Sequence, residues 1–180
     1  MRQALWDAIE PLRWRDLPVK WARPDGIHLT LKFLGDVEEA REPELRTALR
    51  QAAGGADNRG GEPRSVTVHI EGFGVFPDFH RPRVVWAGVA PEPALELLQH
   101  RVEQAFGPLG FPAEARAFRP HVTLGRAARE ARPRDFAGLE GTLGGLAFAE
   151  TVTVSNLHLM QSTLQRGGAV YQVRLRERLS

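Results

Sequence analysis

Ile27–Gly35 reads IHLTLKFLG. As an extended chain it puts Ile27, Leu29, Leu31 and Phe33 on one face, and His28, Thr30 and Lys32 on the other, because strand side chains alternate with a period of two. The pattern returns at Pro120–Arg126, PHVTLGR. There Val122 and Leu124 form the buried set, and His121 and Thr123 point the opposite way. A lone His-x-Thr is an ordinary half-exposed strand pair. Two copies of the form His-apolar-Thr-Leu, each in a strand pattern, predict two strands brought face to face around a shared cleft.

A chain of 180 residues suits one domain, or two small lobes sharing a core. There is no cysteine, which excludes disulfides, thiolate metal sites and a cysteine nucleophile. Met1–Leu12 carries Asp7 and Glu10 among its apolar residues and reads as amphipathic rather than as a leader. No apolar run approaches a membrane span. A cytoplasmic monomer with no membrane partner is expected. A formal net charge of +2 excludes a polycationic nucleic-acid coat. The only lysines are Lys20 and Lys32, and arginine supplies the other basic residues. Arginine's flat fork suits phosphates and bases, although an Arg-, Ala-, Gly- and Pro-rich composition is also what GC-rich coding produces.

Along the chain, Gln3–Arg13 reads as a first helix, with Leu5, Ile9 and Leu12 at helical spacing. Val19–Trp21 is a short strand and Arg23–Gly26 a turn. The first His strand follows, then a helix over Pro43–Ala53 and a Gly-rich loop over 54–63. Ser65–Phe73 alternates as a strand, and the near-continuous apolar run Val84–Val89 reads as a central one. Pro93–Phe106 is a second long helix, with Leu95, Leu98, Val102 and Phe106 on one stripe. Gly107–Pro120 is irregular and leads into the second His strand. Ala127–Gly145 reads as polar loop with one short helical turn. Glu150–Met160 and Ala169–Arg176 read as antiparallel strands joined around Gly167-Gly168. These elements predict a bilobal α+β fold: two antiparallel sheets with outer helices, related by an approximate twofold axis, and a cleft between the lobes.

In-line hydrolysis of a phosphodiester needs a base for the attacking water, an acid for the leaving oxygen, and donors for the charge on the non-bridging oxygens. Two imidazoles across a cleft suit the first two tasks, because both protonation states exist near neutrality. The hydroxyls of Thr30 and Thr123 suit the third without ionising. Such chemistry calls for no cofactor and no metal, and His69, His80, His100 and His158 show no ligand spacing.

WARPDGIHLTLKFLG, RPRVVWAGV and FRPHVTLGR resemble the two-histidine (2H) phosphoesterase superfamily. Within it they are most similar to the bacterial and archaeal RNA 2′,3′-cyclic phosphodiesterases, also called 2′-5′ RNA ligases. The likeness runs from about Trp21 to the C-terminal hairpin. It implies a bilobal fold with one motif per lobe, His28-Thr30 and His121-Thr123. It also implies metal-free opening of a terminal 2′,3′-cyclic phosphate to a 2′-phosphate, with 2′-5′ joining as a side activity. His28 is then assigned as acid and His121 as base, roles that exchange in the reverse direction. The expected partner is an RNA or oligonucleotide bearing a cyclic end, with mononucleotides as smaller substrates. A module that holds RNA ends or nucleotides without turnover is the alternative.

Phe33 and Arg126 occupy the same position after each His. A ring and a guanidinium flanking a cleft would sandwich a nucleobase, and the resemblance supports Arg126 near substrate. Simple alternation puts both on the face opposite the histidines, so they reach the cleft only if the strand ends twist or bulge. Lys32 lies on the right face for a phosphate contact and fits equally a solvated strand position. Members of the family open with a strand of the RLFVAL kind before the first helix. Here that helix follows Met1 almost at once; a member that lacks the strand would have an open sheet edge.

Overall fold

The computed structural model describes residues 1–54, 65–165 and 168–180. Apart from Gly54 and Gly168, the Gly-rich loop over 54–63 and the turn around Gly167-Gly168 lie outside them.

Val84–Val89 (β3) is central, as its apolar run predicts. On one side it pairs antiparallel with β4 (His121–Ala127), which is edged by β1 (Val19–Trp21). On the other it pairs with β2 (Val66–Phe76), which is edged by β5 (Ala149–Val154). These five strands form one curled antiparallel sheet. A second, two-stranded sheet joins β6 (Asn156–Gln165) to β7 (Gly168–Arg178). The α+β architecture of two antiparallel sheets with packed helices is as expected, with the sheets unequal in size.

Helix α4 (Pro93–Phe106) has the predicted bounds, and the Glu92 side chain caps it by accepting from the Ala94 N–H at 3.3 Å. Its stripe of Leu95, Leu98, Val102 and Phe106 is buried, alongside Leu45, Ala48, Leu49 and Ala52 of α3 (Glu42–Ala52). The core continues through the inward faces of β2, β3 and β4: Val66, Val68, Ile70, Val85, Ala87, Val122 and Leu124.

Several boundaries differ from the sequence reading, each for a local reason. The first helix divides into α1 (Arg2–Ala8) and α2 (Glu10–Arg13). Pro11 has no N–H to give the Asp7 carbonyl, so the ladder is interrupted there. Leu5, Ile9 and Leu12 nonetheless stay on one stripe, each fully buried. The stretch expected to be a single strand over 150–160 changes sheet at Ser155, with β5 on one side and β6 on the other. The polar 127–145 segment holds a 3-10 turn at Pro133–Phe136 and the short helix α5 (Leu139–Gly144). These tuck Phe136, Leu139 and Leu143 into the core; three apolar residues so spaced are too few to show a period.

The largest correction concerns Ile27–Gly35. It leaves a 3-10 turn at Pro24–Gly26 and, among the described residues, runs without ladder partners apart from one antiparallel bridge, Leu29 to Val122. Alternation correctly marks its faces near His28, with Ile27 buried and Leu29 and Leu31 packed on the core. It carries no information about hydrogen-bond partners.

Candidate active site

The Leu29–Val122 bridge is what brings the two motifs together. Continuing that antiparallel register sets His28 alongside Thr123 and Thr30 alongside His121. Diagonal positions across two such strands lie roughly 7–8 Å apart, so the His28 and His121 side chains rise from neighbouring points. Leu29 and Val122 face the core. The two histidines and two threonines therefore share the opposite face.

Both imidazoles are held in the same way. Nδ1–H of His28 donates to the Gly26 carbonyl at 2.7 Å, and Nδ1–H of His121 donates to the Arg119 carbonyl at 2.7 Å. A carbonyl only accepts, so the proton of each neutral ring sits on Nδ1, and Nε2 is left without a hydrogen-bond partner among the described residues. Each ring also meets an aromatic edge-on: His28 against Tyr171 of β7 at 4.6 Å between centroids, and His121 against Phe76 of β2 at 5.0 Å. The sequence reading missed Tyr171 and Phe76, because only the tertiary fold puts them beside the motifs.

Burial is the largest influence on His28 and lowers its pKa below the ordinary value. Its bond to Gly26 opposes this, and the positive charges of Arg2 and Arg126 lower it further.

Arg126 reaches this neighbourhood through a β-bulge. Trp86 pairs with Thr123 but Val85 pairs with Gly125, so Leu124 is the extra residue. Leu124 and Gly125 are both buried, and Arg126 emerges to solvent. The bulge reverses the alternation at that point and returns Arg126 to the face of His121 and Thr123. Gly125 is required where it stands: a Cβ there would lie 2.6 Å from Val19 Cγ1 and 2.8 Å from the Trp21 ring. Phe33 is likewise not a core residue, being 75% exposed at the end of the first motif segment.

Lys32 differs from its expected place as a phosphate contact. Its side chain is 3% exposed, ion-paired with Glu103 of α4, and it donates to the Pro112 carbonyl at 2.9 Å. Gln99 donates to the other Glu103 oxygen at 3.0 Å. The ammonium is thus committed inside the protein, where it ties the unladdered first motif to α4.

Trp86 and Phe76 pack at 5.2 Å between centroids, and Gly74 leaves room for the indole. Among the described residues no group of three or more His, Asp or Glu side chains gathers to hold a metal ion, and no helix is long and apolar enough to cross a membrane.

The sequence pattern of the 2′-5′ RNA ligase superfamily matches residues 1–166. The chain is 34% identical over 164 residues to the RNA 2′,3′-cyclic phosphodiesterase of Methanothermobacter thermautotrophicus, covering 90% of this chain and 83% of that one. It is 34% identical over 159 residues to the Aeropyrum pernix protein of the same name, covering 87% and 84%. Its fold is similar to that of E. coli LigT complexed with 3′-AMP, with a TM-score of 0.72 and 27% identity over 99% of this chain and 91% of that one.

Proposed function

The chain belongs to the 2′-5′ RNA ligase superfamily, and we propose that it hydrolyses RNA 2′,3′-cyclic phosphate ends to 2′-phosphates by acid–base catalysis between His28 and His121. The observation that carries this reading is the matched pair of imidazoles on one face, each fixed through Nδ1 with Nε2 left without a hydrogen-bond partner among the described residues. The relatives named as RNA 2′,3′-cyclic phosphodiesterases support the substrate class. The chain acts as one bilobal unit, with a motif from each lobe.

In the proposed reaction His121 Nε2 takes a proton from water as its oxygen bonds to phosphorus. The P–O3′ bond breaks, and O3′ takes the proton of His28 Nε2. Thr30 and Thr123 donate to the non-bridging oxygens, whose charge grows in the transition state. Burial lowers the pKa of His28, and the charges of Arg2 and Arg126 lower it further. A bound phosphate supplies negative charge at that place and returns the proton affinity an acid needs. Arg126 and the exposed Phe33 flank the terminal base, and Lys32 holds the His28 segment in position. Joining of 2′-5′ ends is the reverse of a related ring opening and a minor activity in water.

The test is incubation of an oligonucleotide carrying a 2′,3′-cyclic phosphate with the protein in EDTA, between about pH 5 and 8. Conversion to the 2′-phosphate is expected. Binding of the oligonucleotide without turnover anywhere in that range would favour an RNA-end binding module instead.

A further inference from the structure

The second sheet, whose Tyr171 touches His28, carries a patch that the proposed chemistry does not use. His158 of β6 and Arg176 of β7 are direct cross-strand partners, and Arg176 Nε donates to His158 Nε2 at 3.0 Å. That bond makes His158 an acceptor at Nε2, so the neutral ring keeps its proton on Nδ1. Tyr171, which touches His28, is on the same strand as Arg176. Strict alternation would place Tyr171 and Arg176 on opposite faces. The bulge at Arg174 corrects this: Tyr171 pairs with Ser162 and Arg176 with His158, two positions of β6 that share a face. Arg174 itself turns to the other face, where it bonds Glu42 and Glu39.

Arg2 opens α1, which packs on the Pro24–Gly26 turn that also meets β7 and holds His28 through the Gly26 carbonyl. Burial lowers the pKa of His158, and the charges of Arg176 and Arg2 lower it further. The same Arg2 charge acts on His28. Neither Arg2 nor Arg176 has a carboxylate partner among the described residues. Glu177, next in sequence to Arg176, instead pairs with Arg50. Two unneutralised guanidinium groups beside a half-buried imidazole make a place for an anion, and a fork of arginine donors suits a phosphate.

We propose that Arg2, His158 and Arg176 form a second anion site, which takes the 5′ phosphate of the nucleotide whose cyclic end is being opened. That phosphate is the link to the rest of the RNA, so the site makes the enzyme prefer an oligonucleotide end to a mononucleotide. This rests on the reaction proposed above and specifies its substrate.

Two measurements test it. The first compares kcat/KM for adenosine 2′,3′-cyclic phosphate with that for the dinucleotide ApA bearing the same cyclic end, and with a dinucleotide whose linkage is an uncharged methylphosphonate. The native protein should favour the charged dinucleotide about tenfold over both others, and Arg176→Gln should bring the ratio down toward one. A wild-type ratio near one, or an Arg176→Gln variant that keeps the full ratio, would overturn the proposal. The second needs no turnover and so separates this proposal from the reaction it rests on. Adenosine 3′,5′-bisphosphate should bind about tenfold more tightly than 3′-AMP and raise the His158 pKa, with both effects lost in Arg176→Gln. Equal affinities would contradict the second site even if hydrolysis is absent, whereas absent hydrolysis with unequal affinities would count only against the reaction.

Discussion

His28 and His121 receive the same treatment from their own backbones. Each is tied two residues back, and each has an aromatic ring against its edge. Burial depresses the pKa of His28, and the charges of Arg2 and Arg126 act in the same direction. Arg126→Ala removes one positive neighbour, so the His28 pKa should rise toward its ordinary value. Binding of 3′-AMP should raise it as well, because a negative charge favours the imidazolium. NMR titration of the His28 ring checks both; a pKa unmoved by either change would contradict the placement of Arg126 beside it. At this scale the sequence was a good guide to the histidines and threonines, because period-two alternation marks a shared face directly. It could not reveal Tyr171 or Phe76, whose place depends on contacts between distant strands. It also gave Lys32 the wrong use: an exposed lysine and one buried against Glu103 look alike until α4 is in place.

Two devices set the proposed catalytic pair at the level of elements. One is the bulge at Leu124, which turns Arg126 to the cleft. The sequence posed that question correctly, since Arg126 could arrive only by a break in alternation, but its one hint was Gly125, which fits a close approach as well as a bulge. The other is the clamp of Lys32, Glu103 and Gln99. Among the described residues the His28 segment has a single bridge to the sheet, so this buried pair does what a ladder would otherwise do. Lys32→Met leaves the Glu103 carboxylate buried and unpaired, and should cost about 3–5 kcal/mol of stability. Lys32→Met with Glu103→Leu should recover most of that loss in denaturant unfolding, because buried apolar replacements of an ion pair are often neutral. If the single variant were as stable as the native protein, the pair would not hold the segment.

For the whole molecule, the order of helices and strands was largely legible, because α4 and β3 carry long, regular apolar patterns. What was not legible is the division of strands between sheets. The 150–160 stretch serves both, and its switch at Ser155 follows from packing rather than from any local signal. The assembled fold also has a consequence for pH. His28 and His158 both have lowered pKa values when folded, so just below pH 6.5 the unfolded chain binds protons that the folded one refuses. Stability should be at its full value above that pH and decline as pH falls from about 6.5 toward the folded-state values. His158→Gln should flatten part of the decline in melting temperature; a slope unchanged by that substitution would contradict a depressed His158.

The account rests on two imidazoles working on one phosphate. The most direct measurement is the single-turnover rate of cyclic-phosphate opening by the native protein, His28→Ala and His121→Ala, with substrate binding measured alongside. Each His variant should retain binding and lose about 10²–10⁴-fold in the chemical step, while Thr30→Val and Thr123→Val lose less. A variant lacking either imidazole that opens the ring at the native rate would contradict it.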